Sequence, residues 1–217
     1  MKPRIKICCI SSIDEARIAV SFGASALGLV GPMPSGPGVI DDDLIRTIAR
    51  TVPPPIGTFL LTSETSADDI IAHHQRTLTN TIQLVDELQD AAYNALRAAM
   101  PTIKLVQVIH VLDDASVDEA VRVAEHVDAL LLDSGNPKLA VKELGGTGRV
   151  HNWNLSRRIV EQARVPVFLA GGLNVHNVQA ALEQVHPFGL DLCSGVRTDG
   201  KLDPQKLEVF FKAALEQ

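Results

Sequence analysis

A thiol and a carboxylate stand where this chain could move protons. Lys6-Ile7-Cys8-Cys9 closes the first apolar run and leads straight into helical sequence. Leu130-Leu131-Leu132-Asp133 ends a later apolar run in the same manner. A β/α barrel keeps its catalytic groups at the C-terminal ends of its strands. Cys8 and Asp133 would then face each other across a barrel mouth as base and acid. Each also has a plainer reading, a small buried thiol and an aspartate capping a loop. Lys6 lies two residues before Cys8 and points to the same side of the strand. It either supplies the positive charge that an ionised thiol needs or is a structural lysine inside the barrel.

Two glycine turns have the make-up of an anion site. Gly171-Gly172 follows the apolar run Val167-Phe168-Leu169-Ala170, and Ser194-Gly195 follows Leu190-Asp191-Leu192-Cys193. Glycine lets backbone N–H groups come close to a phosphate, and a following helix N-terminus adds donors and dipole. The loops after strands seven and eight of a β/α barrel are a frequent phosphate site. The plainer reading is that these glycines only make tight turns. Gly146, within Gly145-Gly146-Thr147-Gly148, marks a third and weaker glycine-rich segment.

These residues need a scaffold, and the chain alternates short apolar runs with amphipathic ones from end to end. Strands are expected at 4–10, 25–30, 56–61, 81–85, 103–109, 128–133, 165–170 and 189–193. Their nearly continuous apolar character fits parallel strands covered on both faces. Helices are expected at 13–22, 42–51, 66–77, 88–99, 117–126, 155–162, 175–185 and 204–215. Ser12 through Glu15 has capping-box spacing, Asn174 is suited to an N-cap, and Asp203-Pro204 reads as an N-cap followed by proline at the first helical position. Eight βα units without a linker predict one domain, 1–217, an α/β fold of the single (β/α)8 TIM barrel kind. A doubly wound sheet would want a glycine-rich first loop, whereas Cys8-Cys9-Ile10-Ser11-Ser12 has none.

Composition excludes several functions. The 217 residues carry a net charge of -6 with 20 Lys+Arg and no dense basic run, which argues against nucleic acid or a membrane surface as partner. No apolar run reaches the length of a membrane helix. Met1-Lys2-Pro3-Arg4 enters a strand at once and leaves no room for a signal peptide. The three cysteines, Cys8, Cys9 and Cys193, are odd in number and two are adjacent, which suits a reducing cytoplasm. Neither CxxC nor HExxH occurs, so no metal site is expected. His73 and His74 read as solvated on a polar helix face, Asp41-Asp42-Asp43 as a charge cluster favouring a helix dipole, Cys193 as core, and His110 as a residue at the mouth or packed beneath it.

The ordered set carries a resemblance. Lys6-Ile7-Cys8, Gly23-Ala24 with Leu27-Gly28, Gln83-Leu84, Leu132-Asp133-Ser134, Gly145-Gly146-Thr147-Gly148 with Trp153, Leu169-Ala170-Gly171-Gly172-Leu173 with Asn177-Val178, and Asp191 with Ser194-Gly195-Val196 occur in sequence. Over nearly its whole length the chain resembles the phosphoribosylanthranilate isomerases of tryptophan biosynthesis. The resemblance implies a (β/α)8 barrel that performs an Amadori rearrangement of a phosphorylated small molecule without cofactor or metal; a cytoplasmic location is expected from the cysteines, and a monomer and a homodimer are equally allowed. It implies Cys8 as general base, Asp133 as general acid, the glycine loops as phosphate site, and Lys6 and Gln83 against the substrate.

Departures from the pattern cluster on the side of the amine. The second loop, where the family carries an arginine for the anthranilate carboxylate, reads Pro34-Ser35-Gly36-Pro37-Gly38. The fourth strand continues Gln83-Leu84-Val85-Asp86 where the family has Gln-Leu-His-Gly, and Cys9 stands where glycine is usual. A bidentate arginine contact has no glycine substitute. Arg197 is therefore expected to replace it, with Arg149 and His151 as further candidates. The alternatives are a paralogue isomerising another phosphoribosylated amine and a non-catalytic barrel that binds a sugar phosphate.

Overall fold

The structure is a computed structural model that describes residues 2–34, 36–135 and 150–215. Eight parallel strands close into a barrel in sequence order. They are β1 (Arg4–Ile7), β2 (Ala26–Val30), β3 (Gly57–Thr62), β4 (Thr81–Leu84), β5 (Lys104–His110), β6 (Ala129–Asp133), β7 (Val167–Leu169) and β8 (Gly189–Leu192). The helices between and after them are α1 (Ile13–Ser21), α2 (Asp42–Thr51), α3 (Ala67–Thr77), α4 (Asp90–Ala99), α5 (Ala115–Val123), α6 (Trp153–Gln162), α7 (Val178–Val185) and α8 (Pro204–Leu215). This is the (β/α)8 barrel that the strand–helix alternation predicts. A short antiparallel pair, β9 (Arg197–Thr198) and β10 (Lys201–Leu202), precedes α8.

Alternation along each strand separates two apolar layers. Ile5 and Ile7 of β1, Leu130 and Leu132 of β6, and Leu190 and Leu192 of β8 belong to the layer packed against the helices. Ala26, Phe59, Val106, Leu131 and Phe168 form a smaller cluster within the barrel. Because side chains point to opposite faces at successive positions, the parity that turns Ile5 and Ile7 outward turns Lys6 and Cys8 inward. The same parity turns Asp133, Gln83 and Asp191 inward. Phe59 and Phe168 meet edge to face at 6.1 Å and fill part of the interior. β1, β4, β6 and β8 thus bring polar groups to the barrel axis beside an apolar plug.

Local chemistry sets the element ends. Ser12 Oγ accepts from the Glu15 amide and the Glu15 carboxylate accepts from the Ser11 amide, so the expected capping box forms one residue displaced on its return arm. Asp203 accepts from the amides of Gln205 and Lys206 at the start of α8. β1 stops at Ile7, short of the expected 4–10, because Cys9 takes a left-handed φ of 61° that no strand continues. α7 starts at Val178 rather than 175. Asn174 and Asn177 instead fold the intervening residues into a turn, with the Asn174 amide bonded to Asn177 Oδ1 and the His176 amide to Asn174 Oδ1.

Two further expectations are corrected. His73 and His74 are buried rather than solvated. His73 bonds Thr62 Oγ1 through Nδ1 at 2.9 Å and Asp42 through Nε2 at 3.1 Å, and His74 bonds the Thr79 carbonyl. Asp42 also pairs with Arg76, so it ties α2 to α3, while Asp41 provides the cap of α2. Burial lowers the His73 pKa against the pull of Asp42. No helix among the described residues is long and apolar enough to cross a membrane.

Candidate active site

Lys6, Cys8, Gln83, Asp133 and Asp191 gather at the C-terminal end of the barrel. All but Lys6 line one pocket, which holds about 720 Å³ of empty space measured out to its open mouth. Lys6 lies just beneath, fully buried, with its Nζ 2.8 Å from Asp191 Oδ1. Its position is fixed by strand pairing, since β1 lies against β8 with Lys6 level with Asp191. Burial works against the Lys6 charge, but the Asp191 carboxylate and the Cys8 thiol outweigh it and hold the pKa above its usual range. Lys6 therefore remains an ammonium beneath the pocket.

Gly28 of β2 explains how Lys6 and Cys8 share that space. A Cβ at Gly28 would fall 2.8 Å from Cys8 Sγ and 2.9 Å from Lys6 Nζ. The thiol and the ammonium thus both press on one side-chain-free face. The two groups are close enough for the Cys8 thiol to help raise the Lys6 pKa. The charge that an active thiol requires is present.

Asp133 ends β6 on the same pocket. Its Oδ1 accepts from the Ser134 amide at 2.8 Å. Burial raises its pKa, more than the Ser134 amide and the Lys6 charge lower it. Burial thus shifts this carboxyl towards the acid form, the one that can donate a proton. Gln83 projects from β4 with its Oε1 buried and lacking a protein partner among the described residues, so an acceptor is left for a bound donor.

The two expected glycine turns meet at the rim. Gly171 and Gly172 have φ of 82° and 62°. The Gly172 carbonyl accepts from the side chains of Asn174 and Asn177, at 3.1 and 2.9 Å, which fixes the loop. Gly195 packs so closely on this loop that a Cβ would fall 2.1 Å from the Leu173 carbonyl oxygen. Gly171, Gly172, Ser194 and Gly195 all line the pocket, forming a small-residue wall on the side of β7 and β8. Gly146 and Arg149 lie outside the described residues.

The expectation for Arg197 does not hold in the structure. Arg197 does not line the pocket. Its guanidinium donates to Glu15 Oε1 at 2.9 Å, to the Gly200 carbonyl at 2.9 Å, and to the carbonyls of Cys8 and Cys9 at 3.2 and 2.5 Å. It clamps the turn after β1 from behind, held there by the β9–β10 hairpin and α1. Burial works to raise the Glu15 pKa, but Arg197 and the amides of Leu202 and Ser11 keep it low. His151 is no cation either: burial takes its pKa down to about 4, and its Nε2 meets Ser156 Oγ at 2.7 Å. The rim near the second loop is Met33, Gly36 and Pro37.

Sequence reasoning missed two features. Glu15 was visible as a capping residue, but its pairing with Arg197 depends on residues far apart in the chain. Cys193 was expected in the core, yet it lines the pocket with its Sγ 2.8 Å from Cys9 Sγ. His110 packs with Nε2 towards the Val85 carbonyl at 3.3 Å. Among the described residues no group of three His, Cys, Asp or Glu side chains could hold a metal ion.

The family model for N-(5'-phosphoribosyl)anthranilate (PRA) isomerase matches residues 5–213. The chain belongs to this family. It is 35% identical over 213 residues to N-(5'-phosphoribosyl)anthranilate isomerase 2 of Methanosarcina mazei, covering 97% of this chain and 93% of that protein. It is 37% identical over 218 residues to the N-(5'-phosphoribosyl)anthranilate isomerase of Desulforudis audaxviator, covering 98% of each. The solved phosphoribosyl anthranilate isomerase of Thermotoga maritima superposes with a TM-score of 0.81 at 27% identity, covering 98% of both chains. The rim of the pocket at Met33, Gly36 and Pro37 offers no cation.

Proposed function

We propose that this protein converts N-(5'-phosphoribosyl)anthranilate into 1-(2-carboxyphenylamino)-1-deoxyribulose 5-phosphate. Asp133 gives its proton to the furanose ring oxygen, and the ring opens to a cationic Schiff base. That cation acidifies the proton on C2 of the sugar. The Cys8 thiolate removes it, leaving an enolamine that tautomerises to the ketone. The proton balance closes because the reaction is an isomerisation: one group gives a proton and the other takes one. Gly171, Gly172, Ser194 and Gly195 hold the phosphate through their backbone amides, and Gln83 accepts a hydrogen bond from the substrate. No cofactor takes part.

One observation carries this reading. A thiol beside a fixed ammonium and a carboxyl whose pKa burial raises open onto the same pocket. The reaction needs an acid and a base on one pocket, and burial shifts Asp133 in the direction that an acid requires. Supplying phosphoribosylanthranilate to the purified protein and following loss of its fluorescence tests the reading. Conversion to the ribulose phosphate is expected. Tight binding of a phosphorylated ligand without conversion would make this a sugar-phosphate-binding barrel instead.

The apolar rim supports a second reading, a paralogue whose amine lacks a carboxylate. Among the described residues that line the pocket, none is a cation. Comparing the anthranilate substrate with its aniline analogue separates the two. A preference for the carboxylate of about tenfold or more, the range for a charge-assisted hydrogen bond, favours the anthranilate isomerase. Equal rates favour the paralogue.

A further inference from the structure

Two thiols that the proposed reaction does not use meet inside the pocket. β1 and β8 pair with Ile7 level with Leu192, so the ends of these strands bring residues from opposite ends of the chain together. Cys9 and Cys193 both line the cavity, and their Sγ atoms lie 2.8 Å apart. Cys9 reaches this position through its left-handed backbone, φ 61°, a conformation that glycine adopts without strain and other residues seldom adopt. The chain therefore holds a side chain at a position where the backbone favours having none, and that side chain ends on another thiol. The second loop closes over it: a Cβ on Gly38 would fall 2.5 Å from Cys9 Cβ.

The surroundings suit oxidation. The Arg197 guanidinium bonds the carbonyls of Cys8 and Cys9, which fixes a cation behind the pair. The thiols divide their proton unequally. Bonds to Cys193 and Cys8, together with burial, push Cys9 upward, while the bond from Cys9 and the charge of Arg197 bring Cys193 down in spite of burial. Cys193 is also the more exposed of the two. A thiolate that is accessible and has a second sulfur in reach is the arrangement of a resolvable redox pair.

We propose that Cys9 and Cys193 are a dithiol site for hydroperoxides, oxidised to an intramolecular disulfide that links the ends of β1 and β8 and leaves Cys8 reduced. The Cys193 thiolate attacks hydrogen peroxide; the O–O bond breaks, a sulfenic acid forms and hydroxide leaves. The Cys9 sulfur then attacks the Cys193 sulfur. The S–S bond forms, the S–O bond breaks, and the oxygen leaves as water with the thiol proton. Two thiols lose two electrons in total, and the peroxide is reduced to two waters once hydroxide takes up the proton that Cys193 released. The sulfurs close from 2.8 Å to a disulfide length of about 2.05 Å, a small movement for two side chains at strand ends.

The test treats the full chain with dilute hydrogen peroxide, alkylates the remaining thiols and maps the peptides by mass, without any activity readout. Wild type is expected to lose two of its three alkylatable thiols, to yield a peptide bridge involving Cys193, and to recover all three with dithiothreitol. Fragmentation should place the alkyl group on Cys8. Cys9→Gly, which suits the left-handed backbone, and Cys193→Ser should form no internal bridge. A bridge that persists in Cys9→Gly would mean that Cys8 and Cys193 are the partners and would overturn the proposal. Oxygen addition at Cys8 with Cys9 and Cys193 still free, or disulfides found only between molecules, would overturn it as well.

Discussion

Asp133 answers two demands that oppose each other. A proton donor should hold its proton towards neutral pH, and burial works in that direction by raising the pKa. The same shift costs stability wherever the group must ionise. A carboxyl whose folded pKa exceeds its unfolded value stabilises the fold below the unfolded pKa and loses that contribution as pH rises through the folded one. The rate should therefore fall on the alkaline side as Asp133 deprotonates. Asp133→Asn should lose activity by about 10²–10⁴-fold while its Tm, relative to wild type, improves as pH rises from 4 towards neutrality, roughly the interval beginning at the unfolded carboxyl pKa. Thermal melts across pH check this, and a variant that loses stability at neutral pH would contradict it. Gly28 sets a second prediction. Gly28→Ala should cut turnover with the barrel intact by circular dichroism, because its Cβ would strike both Cys8 Sγ and Lys6 Nζ. Cys8 and Asp133 were legible in the sequence because strand parity and strand ends place them regardless of distant contacts. Arg197 was not legible, since its direction is set by Glu15 and by the β9–β10 hairpin rather than by its distance from the phosphate loop.

At the scale of elements, the phosphate wall depends on how two turns touch. Gly195→Ala would force the turn after β8 away from Leu173 of the β7–α7 loop. The KM for the phosphorylated substrate should rise roughly 10–100-fold, matching about 1.5–3 kcal/mol for a lost hydrogen bond to a charged group, with kcat less affected. Inhibition by inorganic phosphate should weaken in parallel, and unchanged inhibition would place the phosphate elsewhere. Arg197→Met should act on the fold instead of on substrate choice. It leaves Glu15 without its partner and frees the turn after β1, so chemical denaturation should show a loss of roughly 2–3 kcal/mol, with any preference for the anthranilate carboxylate unaltered. The β9–β10 pair was not legible as a periodic run, whereas the eight barrel strands and eight helices were. Their ends were less so. β1 stops early because of the Cys9 backbone, and α7 starts late because Asn174 and Asn177 bond each other. Neither cause leaves a mark on hydrophobic periodicity. The burial of His73 and His74 escaped for a similar reason, since their partners Asp42 and Thr79 become visible only when α3 packs beside α2 and β4.

The molecule as a whole joins a barrel, a buried ion pair and several neutral histidines. Burial lowers the pKa of His73, His110 and His151, the last from 6.5 to about 4. A histidine with a depressed folded pKa adds stability above its unfolded pKa, and that contribution disappears as pH falls through the folded value. Tm should thus decline from about pH 6.5 downward, and His151→Gln should flatten part of the decline by removing one proton-binding difference. The central claim is that Cys8 and Asp133 act as one base and one acid on phosphoribosylanthranilate. The most direct measurement is kcat/KM for that substrate in wild type, Cys8→Ser and Asp133→Asn, with folding confirmed for each. The account predicts turnover by wild type and losses of about 10²–10⁴-fold in each variant. Full activity in folded Cys8→Ser, or in folded Asp133→Asn, would contradict it.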